Sequence, residues 1–161
     1  MRELVAFLTA VGIHELGHLM AAWLAGVPLR HCMGRKNGLQ LYFATEGLSY
    51  SRELWVLLGG SGLGLLSLVW LHDGCYVRYA LVLNLVNLLP LQSLDGGGIL
   101  ACLLHLALAG DVADRVTYAV SRCTAVVFWL CGTWIALRTG GNVGWMLVGV
   151  GMLLGAERRE P

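Results

Sequence analysis

Residues Leu4 to Leu24 form an apolar stretch interrupted by three ionisable side chains, His14, Glu15 and His18. As a helix these 21 residues would be about 30 Å long, roughly one bilayer core. An ionisable group at that depth costs about 2.5–3.5 kcal/mol on insertion scales. Three on one helix therefore need a compensating partner. Any fold for this chain must bury that helix in an apolar medium and bring the partner to it.

The rest of the chain fits the same medium. Hydrophobic residues make up 57% and charged residues 13%, against about 25% charged in soluble domains. A soluble fold of this length has too little interior for so much apolar surface, so membrane embedding is expected. The net charge of +1 and the lack of a basic run exclude a nucleic-acid partner. The five cysteines form no CxxC pair, so no disulfide framework or cysteine metal cluster is implied. Met1-Arg2-Glu3 before an apolar run resembles a signal peptide, but the ionisable residues within the run argue against that reading.

Along the chain, a first span covers about 4–25 and ends at Gly26-Val27-Pro28, where proline disfavours further helix. Arg35-Lys36-Asn37-Gly38 carries the Asn-Gly hairpin signal. Beyond it Leu39, Leu41 and Phe43 alternate with Gln40, Tyr42 and Ala44, which predicts a strand over 39–44 paired with 29–34. A second span, 53–71, holds Gly59, Gly60, Gly62 and Gly64, the Gly60/Gly64 pair at the spacing that lets helices approach closely in lipid. The region 76–109 is divided by Pro90 and Asp95-Gly96-Gly97-Gly98 into two short helices. Unwound backbone at membrane depth belongs where it is buried in protein or lines a wet cavity. A polar patch at 110–115 follows, then spans over 116–137 and 142–155. The expected fold is a single all-α polytopic membrane domain over 1–161, with about six transmembrane helices and a short membrane-associated β-hairpin between the first two. Its catalytic core covers about 4–110. Basic residues divide six against five between the two sides, so loop charge gives no orientation.

His14-Glu15-Leu16-Gly17-His18 is an HExxH sequence. It sets two imidazoles one turn apart on one helix face, with a carboxylate beside the first to act as general base. By chance it arises in about one in 200 chains of this composition. A catalytic zinc site needs a third protein ligand. Asp95, in an apolar region before a glycine-rich break, is the candidate; the alternative role for an Asp there is a helix N-cap. Asn87 is a candidate donor to a developing oxyanion, or else an interhelical hydrogen bond; Asn84 is read as the latter. His105 is read as bonding a neighbour in the bundle, and His31 and His72 as loop residues. Trp23, Trp55 and Trp70 lie near predicted span ends, as interfacial belt residues do.

HExxH in the first span, with Asn87-Leu88-Leu89-Pro90-Leu91-Gln92-Ser93-Leu94-Asp95-Gly96 about 70 residues downstream, resembles the site-2 proteases. Those are zinc intramembrane metalloproteases whose active site combines HExxH with N-x-x-P-x-x-x-L-D-G. The compact layout is most similar to the bacterial sporulation-type branch. The resemblance implies one zinc per chain held by His14, His18 and Asp95, with Glu15 as catalytic base and Asn87 near the scissile carbonyl. It implies endopeptidase cleavage of transmembrane or membrane-proximal segments, such as a sigma-factor precursor or anti-sigma factor, presented on the 39–44 strand by strand addition. It also implies a bacterial cytoplasmic membrane and membrane-bound regulatory proteins as partners. The family's G-P-x-x-N sequence is here Gly59-Gly60-Ser61-Gly62-Leu63, lacking the Pro and the Asn.

Two other readings are carried. One is a non-catalytic membrane protein that uses the same metal site for structure or partner binding; Glu15, which such a site does not need, speaks against it. The other takes Gly59-Gly60-Ser61-Gly62 as the G-x-S-G of rhomboid serine proteases, with His105 or His72 as base.

Overall fold

A computed structural model describes residues 1–35, 38–43 and 49–140. Helix α1 spans Arg2–Leu24, strands β1 and β2 span Leu29–Arg35 and Gly38–Phe43, and helix α2 spans Tyr50–Leu66, followed by a 3-10 turn over Ser67–Val69. Helices α3, α4 and α5 span Gly74–Asn87, Asp95–Ala107 and Gly110–Thr139. Three helical segments are long and apolar enough to cross a membrane: Arg2–Leu24, Tyr50–Val69 and Gly110–Thr139. The expected span at 142–155 lies outside the described residues. The break expected in 76–109 falls between α3 and α4, which have 14 and 13 residues, each about 20 Å long and short of a bilayer core.

The buried face of α1 is made of Ala6, Ala10, His14, Gly17, His18 and Ala22. Its larger side chains, among them Leu4, Leu8, Leu16, Leu19 and Trp23, are exposed. Small residues inside and large apolar ones outside suit helices that associate in lipid, where close backbone packing replaces a hydrophobic driving force. α1 packs against α2 and α3, α2 also packs against α4, and α4 packs against α5.

Gly26 ends α1 with φ of 65°, a left-handed conformation glycine adopts without penalty. Its N–H donates to the Trp23 carbonyl at 3.1 Å, and that of Val27 donates to Ala22 at 2.8 Å. These bonds satisfy the last carbonyls in a Schellman arrangement. Val27 then packs on Ala22 and Val56 and turns the chain toward the strands. β1 and β2 pair antiparallel, with Arg35 opposite Gly38, Cys32 opposite Leu41, and an irregularity between Leu29 and His31. His31, read from sequence as a loop residue, therefore lies in β1.

At the other end of α1, Arg2 forms an ion pair with Asp73. Asp73 caps α3 by accepting from the backbone N–H groups of Cys75 at 3.0 Å and Tyr76 at 3.2 Å. Arg2 and these N–H groups hold the Asp73 carboxyl below its ordinary range. The polar patch at 110–115 is not a separate connection. It is the first turns of α5, where the Asp111–Arg115 pair at 2.9 Å has the i,i+4 spacing that supports helix.

The α1–α2 crossing is set by glycine. A Cβ on Gly17 would fall on the Gly59 carbonyl, and one on Gly59 would strike Ala21 and the Gly17 carbonyl. Gly12, by contrast, has nothing within 4 Å of a Cβ. Gly17→Val is expected to lower stability by about 3 kcal/mol by forcing the helices apart. Gly12→Ala is expected to raise it by about 0.5–1 kcal/mol through helix propensity. Unfolding of the purified chain in detergent checks both.

Candidate metal centre

His14 and His18 are both buried on the face of α1 that meets α2 and α3. The His14 Nδ1–H donates to Asn84 Oδ1 at 2.9 Å. The orientation of that amide is fixed from its other side, where Asn84 Nδ2 donates to the Ala80 carbonyl at 2.7 Å. The His18 Nδ1–H donates to the Val56 carbonyl at 2.8 Å. Both partners are acceptors, so each Nδ1 carries the proton and each Nε2 presents its lone pair.

Those two Nε2 atoms converge, 3.2 Å apart. Asp95 Oδ2 completes the group at 3.2 Å from each. Asp95 is the first residue of α4; Leu94 is the N-cap, without a side-chain cap bond. The N-cap alternative raised from sequence is thus not what Asp95 does, although a carboxylate in the first turn still suits the helix dipole. Gly96 and Gly97 allow this placement, because a Cβ on either would collide with the carbonyls of Leu88 and Leu91 folded over the start of α4. That connection is tied to α5 where the Gln92 N–H donates to Ser121 Oγ at 3.0 Å.

The three atoms form a triangle with sides of 3.2 Å. Ligands about 2.0–2.1 Å from a tetrahedral ion are separated by about 3.3 Å, so the triangle has the size of one face of such a shell. Asp95 Oδ2 is buried and accepts no hydrogen bond. Two imidazole nitrogens and a carboxylate oxygen, all lone pairs facing one point, are the donors of a cation site. Among the described residues, His14, His18 and Asp95 are the group that could hold a metal ion.

Glu15 follows His14 on α1 and is half-buried. Asn87 brings its Nδ2 to 3.3 Å from His14 Nε2, on the side of the ring where a metal would lie. All five residues singled out from sequence thus belong to α1 or to the α3–α4 region, and four of them meet within hydrogen-bonding distance. Sequence reasoning missed the supporting residues. Asn84, read from sequence as making an interhelical bond, makes one to the His14 ring, which carries a candidate ligand atom. Gly60 and Gly64 do more than pack helices: Cβ atoms there would collide with the His18 ring and the Asn84 amide. The arrangement Asn84, Asn87 at i,i+3 on one helix face was the available signal.

Ser61 Oγ is buried with no hydrogen-bond partner. His105 instead pairs with Asp114 at 3.0 Å and stacks on Tyr50, while His72 is exposed. A serine–histidine pair is therefore not formed by these residues. No family model matches this chain, and no curated protein matches it.

Hydrogen-bond partners of metal-ligating histidines are worth about 10–100-fold in metal affinity. Asn84→Ala is accordingly expected to weaken binding of a divalent metal ion by that factor, and Asp95→Ala to abolish stoichiometric binding. Competition with a chromophoric chelator measures both, and unchanged affinity in Asn84→Ala would mean that His14 is oriented by something else.

Proposed function

We propose that this chain is a zinc-dependent endopeptidase that works within the bilayer, of the site-2 protease kind. The observation that carries the reading is the convergence of His14 Nε2, His18 Nε2 and Asp95 Oδ2 on a 3.2 Å triangle, with both histidines on a helix apolar enough to cross a membrane. Two histidines and one carboxylate are a donor set used by catalytic zinc, which keeps a further position open. The Lewis acidity of zinc, when bound, serves both the attacking water and the scissile carbonyl.

The chain's own residues supply the rest. Glu15, adjacent to His14 and half-buried, takes the proton of the attacking water as its oxygen bonds to the carbonyl carbon. It returns that proton to the amide nitrogen as the C–N bond breaks, leaving a carboxylic acid and an amine. Asn87 Nδ2, 3.3 Å from His14 Nε2, is within reach of the oxyanion that develops beside that ring. Asn84 and the Val56 carbonyl hold the two imidazoles in the tautomer the ligands need.

The substrate is a transmembrane or membrane-proximal segment, because the site lies along an apolar helix rather than on a polar surface. Its peptide bond must leave a helix to be attacked. Pairing to an edge of the β1–β2 hairpin would replace the helical hydrogen bonds it gives up. The six-span layout in a bacterial cytoplasmic membrane, and a sigma-factor precursor or anti-sigma factor as substrate, belong to the same reading through the resemblance of the two sequence motifs.

Glu15→Gln is expected to lower turnover by about 10²–10⁴-fold in vesicles while leaving zinc content near one per chain. Equal turnover by the folded variant would sink the mechanism. Zinc binding without chelator-sensitive proteolysis by the wild type would favour a non-catalytic metal protein instead.

A further inference from the structure

Asp95 is delivered to the metal centre by the connection between α3 and α4, residues 88–94. Irregular backbone at membrane depth must find its partners in protein, because lipid offers none. Much of this connection supplies its own. The N–H groups of Leu88 and Leu89 donate to the carbonyls of Asn84 and Val86, that of Leu91 to Leu89, and that of Leu94 to Leu91. Pro90 has no donor. The Gln92 N–H behaves differently: it leaves the segment and donates to Ser121 Oγ of α5 at 3.0 Å.

The same peptide group rests on the start of α4. A Cβ on Gly97 would fall on the Leu91 carbonyl and within 2.8 Å of the Gln92 nitrogen. The Leu91–Gln92 peptide is therefore held between Ser121 and the first turn of α4. Asp95 lies in that turn, with its Oδ2 at 3.2 Å from each Nε2. The two rings are fixed independently of Ser121, by Asn84 and the Val56 carbonyl. A shift of the Gln92 peptide thus moves the carboxylate relative to imidazoles that stay in place.

α5 is suited to this contact. Its buried residues are Ala113, Thr117 and Ser121, small side chains four apart on one face. Thr117 spends its hydroxyl within α5, on the Ala113 carbonyl at 2.8 Å. Ser121 instead turns an acceptor toward the connection. His105 of α4 also pairs with Asp114 of α5 at 3.0 Å, so α4 is tied to α5 near its last turn and, through Gln92, near its first. The Asp114 side chain is 74% exposed, and exposed ion pairs contribute little. Ser121 is the buried tie of the two.

We propose that Ser121 is a positioning residue of the metal centre. By accepting from the Gln92 N–H it fixes the turn that presents Asp95, and it makes α5 part of a site to which α5 gives no atom of the triangle. This rests on the metal-binding reading of His14, His18 and Asp95, and it holds whether or not the chain cleaves peptides.

Cobalt(II) is the probe, titrated into the full chain in detergent, because its visible bands report both affinity and coordination geometry. Ser121→Ala is expected to weaken binding about tenfold, the lower end of what support of a ligand is worth, and to alter the bands. Thr and Val have nearly the same shape and differ in the hydroxyl, so they crowd α4 equally. Ser121→Thr is expected to stay within about threefold of wild type, and Ser121→Val to bind about tenfold more weakly than Ser121→Thr. Thr117→Val, which removes a hydroxyl bonded inside α5, should leave affinity and bands unchanged. Wild-type affinity in Ser121→Ala, or equal affinities in Ser121→Thr and Ser121→Val, overturns the assignment. So does an equal loss in Thr117→Val, which would assign the effect to α4–α5 packing in general. A wild type that takes up no cobalt overturns the metal reading itself, and this assignment with it.

Discussion

The backbone contact between Gly17 and Gly59 is the constraint on which the rest of this structure depends. Helices with ordinary side chains at their contact lie about 8–10 Å apart. Here the α1 and α2 backbones touch, since a single Cβ at either glycine would collide with the other helix. Only that approach lets the His18 ring lie on Gly60 and its Nδ1 reach the Val56 carbonyl at 2.8 Å. One turn farther along α2, the same logic seats Asn84 on Gly64 and so delivers an acceptor to His14. The glycines of α2 thus act as sockets, and the metal-facing geometry is a consequence of how three helices pack.

The sockets create an electrostatic demand. Both Nδ1 protons are committed to acceptors, so two lone pairs and a carboxylate oxygen face one another across 3.2 Å in a medium of low dielectric. A proton on one imidazole relieves the edges it lies on. A divalent cation near the centre relieves all three edges at once, and it also compensates the burial of the carboxylate. The supporting hydrogen bonds thus fix the tautomers that turn the two Nε2 lone pairs toward Asp95, an arrangement a cation would stabilise.

The three residues that could hold a metal ion are legible in the sequence because they break the pattern of their surroundings. His14 and His18 interrupt an apolar run at helical spacing, and Asp95 interrupts another beside a run of glycines. The supporting residues were not legible, because their roles depend on how far α3 is displaced along α1. Asn84 and Asn87 share one helix face, and nothing local distinguishes the one that meets Nδ1 from the one near Nε2. The glycines of α2 were readable as small residues for packing, but not as the seats of particular side chains. The start of α5 was hidden by polarity: Asp111, Asp114 and Arg115 look like a connection, yet their spacing supports helix, and Asp114 is held by His105 from α4.

The positions of His14 and His18 along α1 bear on the proposed hydrolysis. His14 and His18 precede the end of α1 by ten and six residues, which is about 15 and 9 Å along the axis. The centre is therefore nearer to the end that carries the hairpin than to the end pinned by Arg2 and Asp73. The proposed hydrolysis needs a supply of water, and the hairpin end of α1 is the nearer of the two ends. An extended substrate covers about 3.3 Å per residue, so three to five residues would bridge the hairpin and the metal-binding face. A segment that entered from the opposite end would have to unwind over a longer stretch, without a strand edge to satisfy its backbone. If the chain hydrolyses peptides as proposed, the asymmetry of α1 favours delivery of both reactants from the end at which β1 and β2 connect the first two helices.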